Sequence, residues 1–342
     1  MENRLMADVD RPLWGAQQPS GAPPGDRPGL LRPDVVPVVL VLVATAALIV
    51  ALKLTVAGFG SIGQLTAILV TAIFLVVASF GQGLVILTGG IDLSIGAVMG
   101  IGGMIIANLT RGDDGALIYA LPIALLCSTG IGLINGLGVA IGRLPPFIMT
   151  LSSSIAFFGV ALGMTAGSSQ QSVAPALQRF MAGSWLGVPL PILFIVLFAV
   201  AAALFQNRSA VGRQIYALGD SPRAATLLGL PVAALTVTVY ALSGLCAGLA
   251  GVLLAGYSSS ATLDMGNPLL MPTIAAVVIG GARVTGGTGL YAGTLAGALF
   301  LSTLSTAITV LSLSQGLRSL IEGCVIFLAL LLQGRLGGRR RN

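Results

Sequence analysis

Charge is what this chain of 342 residues has least of: Asp, Glu, Lys and Arg together make up 8% of it, while 56% is hydrophobic. With a mean hydropathy of +0.99, that balance excludes a soluble domain and implies a polytopic membrane protein. Histidine is absent and Lys53 is the single lysine. The first absence excludes histidine-based zinc chemistry. The second excludes a P-loop, whose lysine must reach the terminal phosphates from a glycine-rich turn. If ATP drives this protein, another chain binds it. The three cysteines, Cys127, Cys246 and Cys324, lie inside apolar segments. They read as small packing residues and define no disulfide framework. The net charge of +6 comes from basic loops and tails. It orients a chain against an anionic leaflet and implies no nucleic-acid role.

The apolar runs are about 18 residues or longer and lack period-two alternation, so helices are expected and a β-barrel is not. The fold class is therefore all-α, with about ten transmembrane helices. Residues 1–34, rich in Pro, Gly and Arg, read as a disordered tail with no signal peptide. The transmembrane domain is expected over 35–334, followed by a basic tail at 335–342. Spans are expected at Val35–Leu52, Ser61–Leu87, Ile91–Leu109, Ala116–Ile141, Phe147–Ala166 and Pro189–Phe205. Four more follow at Val232–Gly256, Leu269–Gly281, Leu290–Leu311 and Leu317–Leu332. The eighth is too short to cross ~30 Å of hydrocarbon as a straight helix, and a broken or re-entrant form is expected. Ten spans put both termini on one side. With the termini cytoplasmic, thirteen basic residues fall inside and four (Lys53, Arg111, Arg179, Arg318) outside, a positive-inside bias.

Small residues recur four apart at Gly96/Gly100, Gly132/Gly136, Gly159/Gly163, Gly244/Gly248 and Gly293/Gly297. Such pairs let helix backbones approach closely in lipid, so the set predicts a tight bundle. GFGSIG at 58–63 and GTGLYA at 287–292 fit dinucleotide-binding fingerprints, but neither follows a strand. Both read as turns.

Two stretches carry polar residues at membrane depth. In Thr88–Ser94, Gly89 and Gly90 break the backbone and place Asp92 at the start of the next helix, where free N–H groups favour a carboxylate. Two readings stand for Asp92: a helix cap, or a part of the conformational change along a pathway. Ser94, Asn135, Phe147 and Thr150 are the companion hinge or pathway candidates. GGARVTGG at 280–287 is a second glycine-rich segment, read equally as hinge or loop. Glu322 lies inside the last span, with Arg318 four residues earlier on the same face. The pair is read as mutual neutralisation, against a proton-carrying role.

The longest polar interruption is Gln206–Pro231. Ser221 or Asp220 suits a helix cap, Pro222 a first turn, and Gly229 followed by Pro231 a stop. A helix starting near Ser221 is expected to present Ala224, Ala225 and Leu228 on one face. Within it, GRQIYALGDSPRAATLLGLPV resembles the cytoplasmic coupling segment of the ribose-type permease subunits of ABC importers. VILTGGIDLSIGAVMG (85–100), IAAVVIGGARVTGGTGLYAGTLAGALF (274–300) and, more weakly, PPFIMTL (145–151) resemble the same family and stand in its order.

The resemblance implies a type II importer architecture in the bacterial inner membrane. Two permease subunits, identical or related, would surround one pathway, with two ATPase domains below and a solute-binding protein above. It implies a simple sugar or similar polyhydroxylated cargo, no catalysis by this chain and no cofactor of its own. Tyr216, Gly219, Asp220, Pro222, Arg223, Ala224, Ala225 and Gly229 would couple to the ATPase. Arg223 would pair with an acid there or simply mark the inner face. Two departures from the family stand out: Leu270-Met271-Pro272 replaces an acidic Glu-Leu-Asp found in some relatives, and Glu322 stands near a position commonly basic or neutral. The alternatives are a branched-chain amino-acid permease, an ion-coupled carrier using Asp92 or Glu322, and an intramembrane enzyme, for which no metal cluster or acid pair is present.

Overall fold

A computed structural model describes residues 35–56, 58–167 and 172–338. The expected disordered tail at 1–34 and the last four residues of the basic tail lie outside these. Among the described residues, seven helices are long and apolar enough to cross a membrane. They are α1 (Val36–Thr55), α2 (Ile62–Leu87), α4 (Leu117–Ala140), α5 (Pro146–Thr165), α7 (Leu190–Arg208), α10 (Val232–Ser258) and α12 (Tyr291–Val310). Two shorter apolar helices, α3 (Ile95–Thr110) and α11 (Asn267–Ile279), complete the core. The last helix, α13 (Gln315–Gly338), runs past the expected boundary at 334 into the segment read as a tail.

Four short elements were not expected. Between α5 and α7 stand α6 (Pro175–Ala182) and a hairpin of β1 (Ser184–Trp185) and β2 (Val188–Pro189), with Trp185 opposite Val188. The polar stretch after α7 holds two helices, not one: α8 (Ala210–Asp220) and α9 (Pro222–Leu227). The first was hidden because Ser209, not a residue near Ser221, starts it; its Oγ accepts from Gly212 N at 2.8 Å. Ser221 caps the second, accepting from Ala224 N at 3.2 Å, and Pro222 fills the first turn.

The axis of the bundle is α2, buried without a break from Ala72 to Leu87. A helix apolar on every face is satisfied only by being surrounded, and α10, α11, α12 and α7 do so. Phe80 sits edge-on to Phe198 and Tyr291, with centroids 5.7 and 5.1 Å away. By contrast, few side chains of α1, α5 and α7 are fully buried within the chain, so lipid or another subunit covers much of these helices.

Four of the five glycine pairs are contact points. A Cβ on Gly100 would strike the Leu263 carbonyl, on Gly132 that of Tyr240, on Gly244 that of Ser128, and on Gly297 that of Ala276. The fifth pair, Gly159/Gly163 on α5, faces open space, so it contributes nothing to packing within the chain. The short eighth span is also explained. The segment from Ala261 to Gly266 lies along the glycine face of α3 before α11 begins, with Gly266 against Gly96 and Leu263 against Gly100. The expectation for the cysteines is corrected in two places. Cys246 is buried, but Cys127 and Cys324 are exposed on the outer surface of the bundle.

Candidate functional site

The glycine-broken joints of the sequence meet at one end of the bundle. The amide of Gly287 donates to the Leu87 carbonyl at 2.9 Å, tying the joint between α11 and α12 to the last turn of α2. Gly219, near the end of α8, lies against both partners: a Cβ there would strike the Leu87 carbonyl and come within 2.6 Å of Gly287 N. Gly286 in turn crowds Leu87, Gly89 and Gly219. Gly89, Gly286 and Gly287 all have positive φ, at 79°, 90° and 76°, a conformation glycine adopts without a steric cost. Gly219 is therefore small because the chain's own backbone passes there.

Polar side chains lock the same joint. Gln206, at the end of α7, donates through Nε2 to the Tyr216 hydroxyl at 2.6 Å and to the Gly289 carbonyl at 3.2 Å. The Tyr216 hydroxyl also donates to Gly289 O. A crevice of about 10 Å³ beside them, lined by Phe80, Gln206, Gly289 and Tyr291, has room for about one water. Gln206 was not singled out from sequence. Its signal was being the first polar side chain after a wholly apolar run.

Next to this joint, Asp92 is buried. Its Oδ1 accepts from the Ser94 amide at 2.9 Å and the Ser94 hydroxyl at 2.6 Å, and its Oδ2 from the Ser243 hydroxyl on α10 at 2.7 Å. Asn135 on α4 donates to Ser94 Oγ at 2.9 Å, and the Leu93 amide donates to Thr150 Oγ1 on α5 at 3.0 Å. Asp92 thus does not cap α3, which begins only at Ile95. It closes a turn ahead of the helix and ties the broken segment to α10, while Ser94 carries the tie to α4. Gly90 is required for close approach, since a Cβ would lie 2.6 Å from the Tyr240 hydroxyl. Ser94, Asn135 and Thr150 are gathered here. Phe147, 54% exposed on α5, is not. Ser243 was missed from sequence because one serine in an apolar span is unremarkable until its neighbour is known.

The outward face of the joint is α9. Arg223 and Ala224 are exposed, Leu227 is 90% and Leu228 76% exposed, and Gly229 turns the chain at φ 74°. Ala225, in contrast, is 1% exposed and packs with Leu218 and Leu235. This corrects the expectation that Ala224, Ala225 and Leu228 share one outward face. Ala225 is the anchor of the short helix. Tyr216 likewise turns inward to Gly289, whereas Asp220 and Pro222 are exposed.

At the far end of the chain, Arg318 Nε lies 3.0 Å from Glu322 Oε1, and Arg318 Nη2 donates to Ser305 Oγ on α12 at 2.6 Å. Beyond α3, Asp114 accepts from the Ala176 amide at 2.6 Å and pairs with Arg179. The amide first, and then the guanidinium, hold its carboxyl below the usual aspartate range.

An apolar bundle with broken helices, its glycine joints gathered at one end, is that of a polytopic membrane protein. A family model described as "Branched-chain amino acid transport system / permease component" matches residues 64–330. The chain belongs to this family and is a multi-pass permease component of an ABC transport system, the subunit without the ATPase. It is 35% identical to the ribose import permease protein RbsC of Escherichia coli (strain K12) over 86% of this chain and 92% of that one. It is also 35% identical to the galactofuranose transporter permease protein YtfT of the same organism, over 75% of each chain. To its D-allose transport system permease protein AlsC it is 31% identical, over 82% and 89%. No solved structure matches the chain.

Proposed function

We propose that this permease moves a simple sugar or similar polyhydroxylated solute across the bacterial cytoplasmic membrane by alternating access, with both termini on the cytoplasmic side. A partner ATPase docks on α9 and hydrolyses the ATP, a solute-binding protein delivers cargo at the opposite end, and a second permease subunit completes the pathway. The cargo class is supported by the ribose, galactofuranose and allose named for its relatives.

The observation that carries the coupling is the two-sided build of α8–α9. Arg223, Ala224, Leu227 and Leu228 face outward, while Gly219 and Tyr216 rest on the joints that end α2 and begin α12. A push on the outer face is thus transmitted through packed backbone to two glycine hinges. The test replaces Leu228 with Glu. Membrane insertion and thermal stability are expected to match the parent, while copurification of the co-encoded ATPase and solute-stimulated hydrolysis fall together. Parental association and stimulation in Leu228→Glu and Ala224→Glu alike would sink the assignment. The family description also admits a branched-chain amino-acid cargo; a thermal-shift screen of the co-encoded binding protein that responds to leucine and not to sugars would establish it.

A further inference from the structure

The hairpin Gly183–Pro189 has a composition and a backbone that disagree with a site in water. Its turn places Leu186 at φ 50° and Gly187 at φ 80°. Two consecutive positive φ values are those of a type I′ turn, whose first central position favours Asn, Asp or Gly because a Cβ there is strained. Leucine is the wrong residue for that conformation, and it is 85% exposed at the tip. Beside it Trp185 is 63% exposed, and no residue from Gly183 to Pro191 is charged. Neither backbone preference nor hydration therefore accounts for the tip. Burial of Trp185 and Leu186 in a medium outside the chain does.

The position of α7 identifies that medium. This helix of 19 residues is ~28 Å long at 1.5 Å per residue, barely the ~30 Å of hydrocarbon it must cross. It is apolar from Leu190 to Phe205 and ends on Gln206, Asn207 and Arg208. Its first turn must then lie at the hydrocarbon border. The Leu190 amide donates to the Gly183 carbonyl at 2.9 Å, closing the base of the hairpin on that first turn. Trp185 pairs with Val188, two residues from the helix, so it lies within about 7 Å of the border. That is the headgroup zone, where tryptophan is enriched in membrane proteins. Further along α7, the apolar side chains of Val196, Leu197, Val200 and Leu204 are exposed as well. Phe180 on α6, edge-on to Phe194 on α7 with ring centroids 6.0 Å apart, packs the helix before the hairpin against the helix after it.

We infer that the hairpin tip, Trp185 and Leu186, inserts into the interfacial layer of the bilayer and fixes the level of α7 in the membrane. Trp185 is one of two tryptophans, so Trp14→Phe isolates its fluorescence in the full chain. In vesicles of phosphatidylcholine, its emission is expected to be blue-shifted. Lipid brominated near the headgroup should quench it more strongly than lipid brominated near the chain end, and aqueous iodide should quench it weakly. Adding Leu186→Asn keeps a turn favoured by its backbone, so thermal stability in detergent should hold or rise while bromolipid quenching falls by about half. Emission as red as free tryptophan with iodide quenching overturns the inference. So does shielding from both quenchers, which would place the tip against a second protein subunit, or quenching unchanged by Leu186→Asn.

Discussion

At the scale of single residues, the position of a side chain within the fold decided roles that its type left open. Ala225 and Ala224 are adjacent and identical, yet one is an internal anchor and the other faces outward. Ala225→Glu would force an unpaired carboxylate between Leu218 and Leu235, so it should lower the thermal stability of the permease alone. Ala224→Glu should leave that stability unchanged, and the difference is read by melting each variant without partners. Asp92 satisfies three donors, one of them across helices. Ser243→Ala is expected to cost about 1–3 kcal/mol, the range for leaving a buried polar group without its hydrogen-bond partner. Asp92→Ala should cost more, because the Ser94 amide, the Ser94 hydroxyl and the Ser243 hydroxyl all lose their acceptor. Thermal denaturation in detergent ranks the two, and a neutral Asp92→Ala would refute the tie. Asp114 has its folded pKa depressed by the Ala176 amide and Arg179. Its contribution to stability is therefore present above the ordinary aspartate pKa of about 3.9 and is lost as pH falls through the lower folded value. The gap in melting temperature between the parent and Asp114→Asn should accordingly be constant at neutral pH and close on acidification.

At the scale of elements, helices in this bundle meet through glycine because lipid offers no hydrophobic drive to bring them together. The consequence is a sharp contrast between like substitutions. Gly132→Ala and Gly100→Ala put a methyl into a neighbouring carbonyl and should lower expression and melting temperature. Gly159→Ala and Gly163→Ala, on the open face of α5, should leave the stability of the isolated chain unchanged. The short elements carry the rest. The pair α8 and α9 rests its inner side on two glycine joints, and α6 with its hairpin stands at the start of α7. None of these has the length or hydropathy of a span, so none is visible by the criterion that finds the long helices.

At the scale of the whole molecule, the proposed orientation places α9 in the cytoplasm and the β1–β2 hairpin outside. In a variant freed of Cys127, Cys246 and Cys324, a cysteine at Thr226 should resist a membrane-impermeant thiol reagent in intact cells and react after permeabilisation. One at Asp113, exposed in the loop between α3 and α4 on the same outer side, should react in intact cells. The opposite pattern would invert the chain. An ion-coupled carrier using Glu322 finds no support in its surroundings, where Arg318 neutralises it and Ser305 fixes Arg318. The membership of the chain in an ABC permease family agrees with that.

The sequence by itself determined the membrane class, the helical fold, the long spans to within a few residues, and the family through GGIDLS, the coupling stretch and AAVVIGG. These follow from hydropathy, helix stop signals and local motifs, each of which acts over neighbouring residues. Tertiary structure alone decided which glycines are contacts, that Gly219 faces its own chain, that Ala225 is buried, and that Asp92 closes a turn before α3 instead of capping it. It alone joined Gln206 to Gly289 and Asp92 to Ser243, residues 83 and 151 positions apart. The reason is physical: a helix of uniform hydropathy carries almost no amphipathic period, so its inward face is set by the neighbours it packs against. A residue's partner across such a face is a property of the folded bundle.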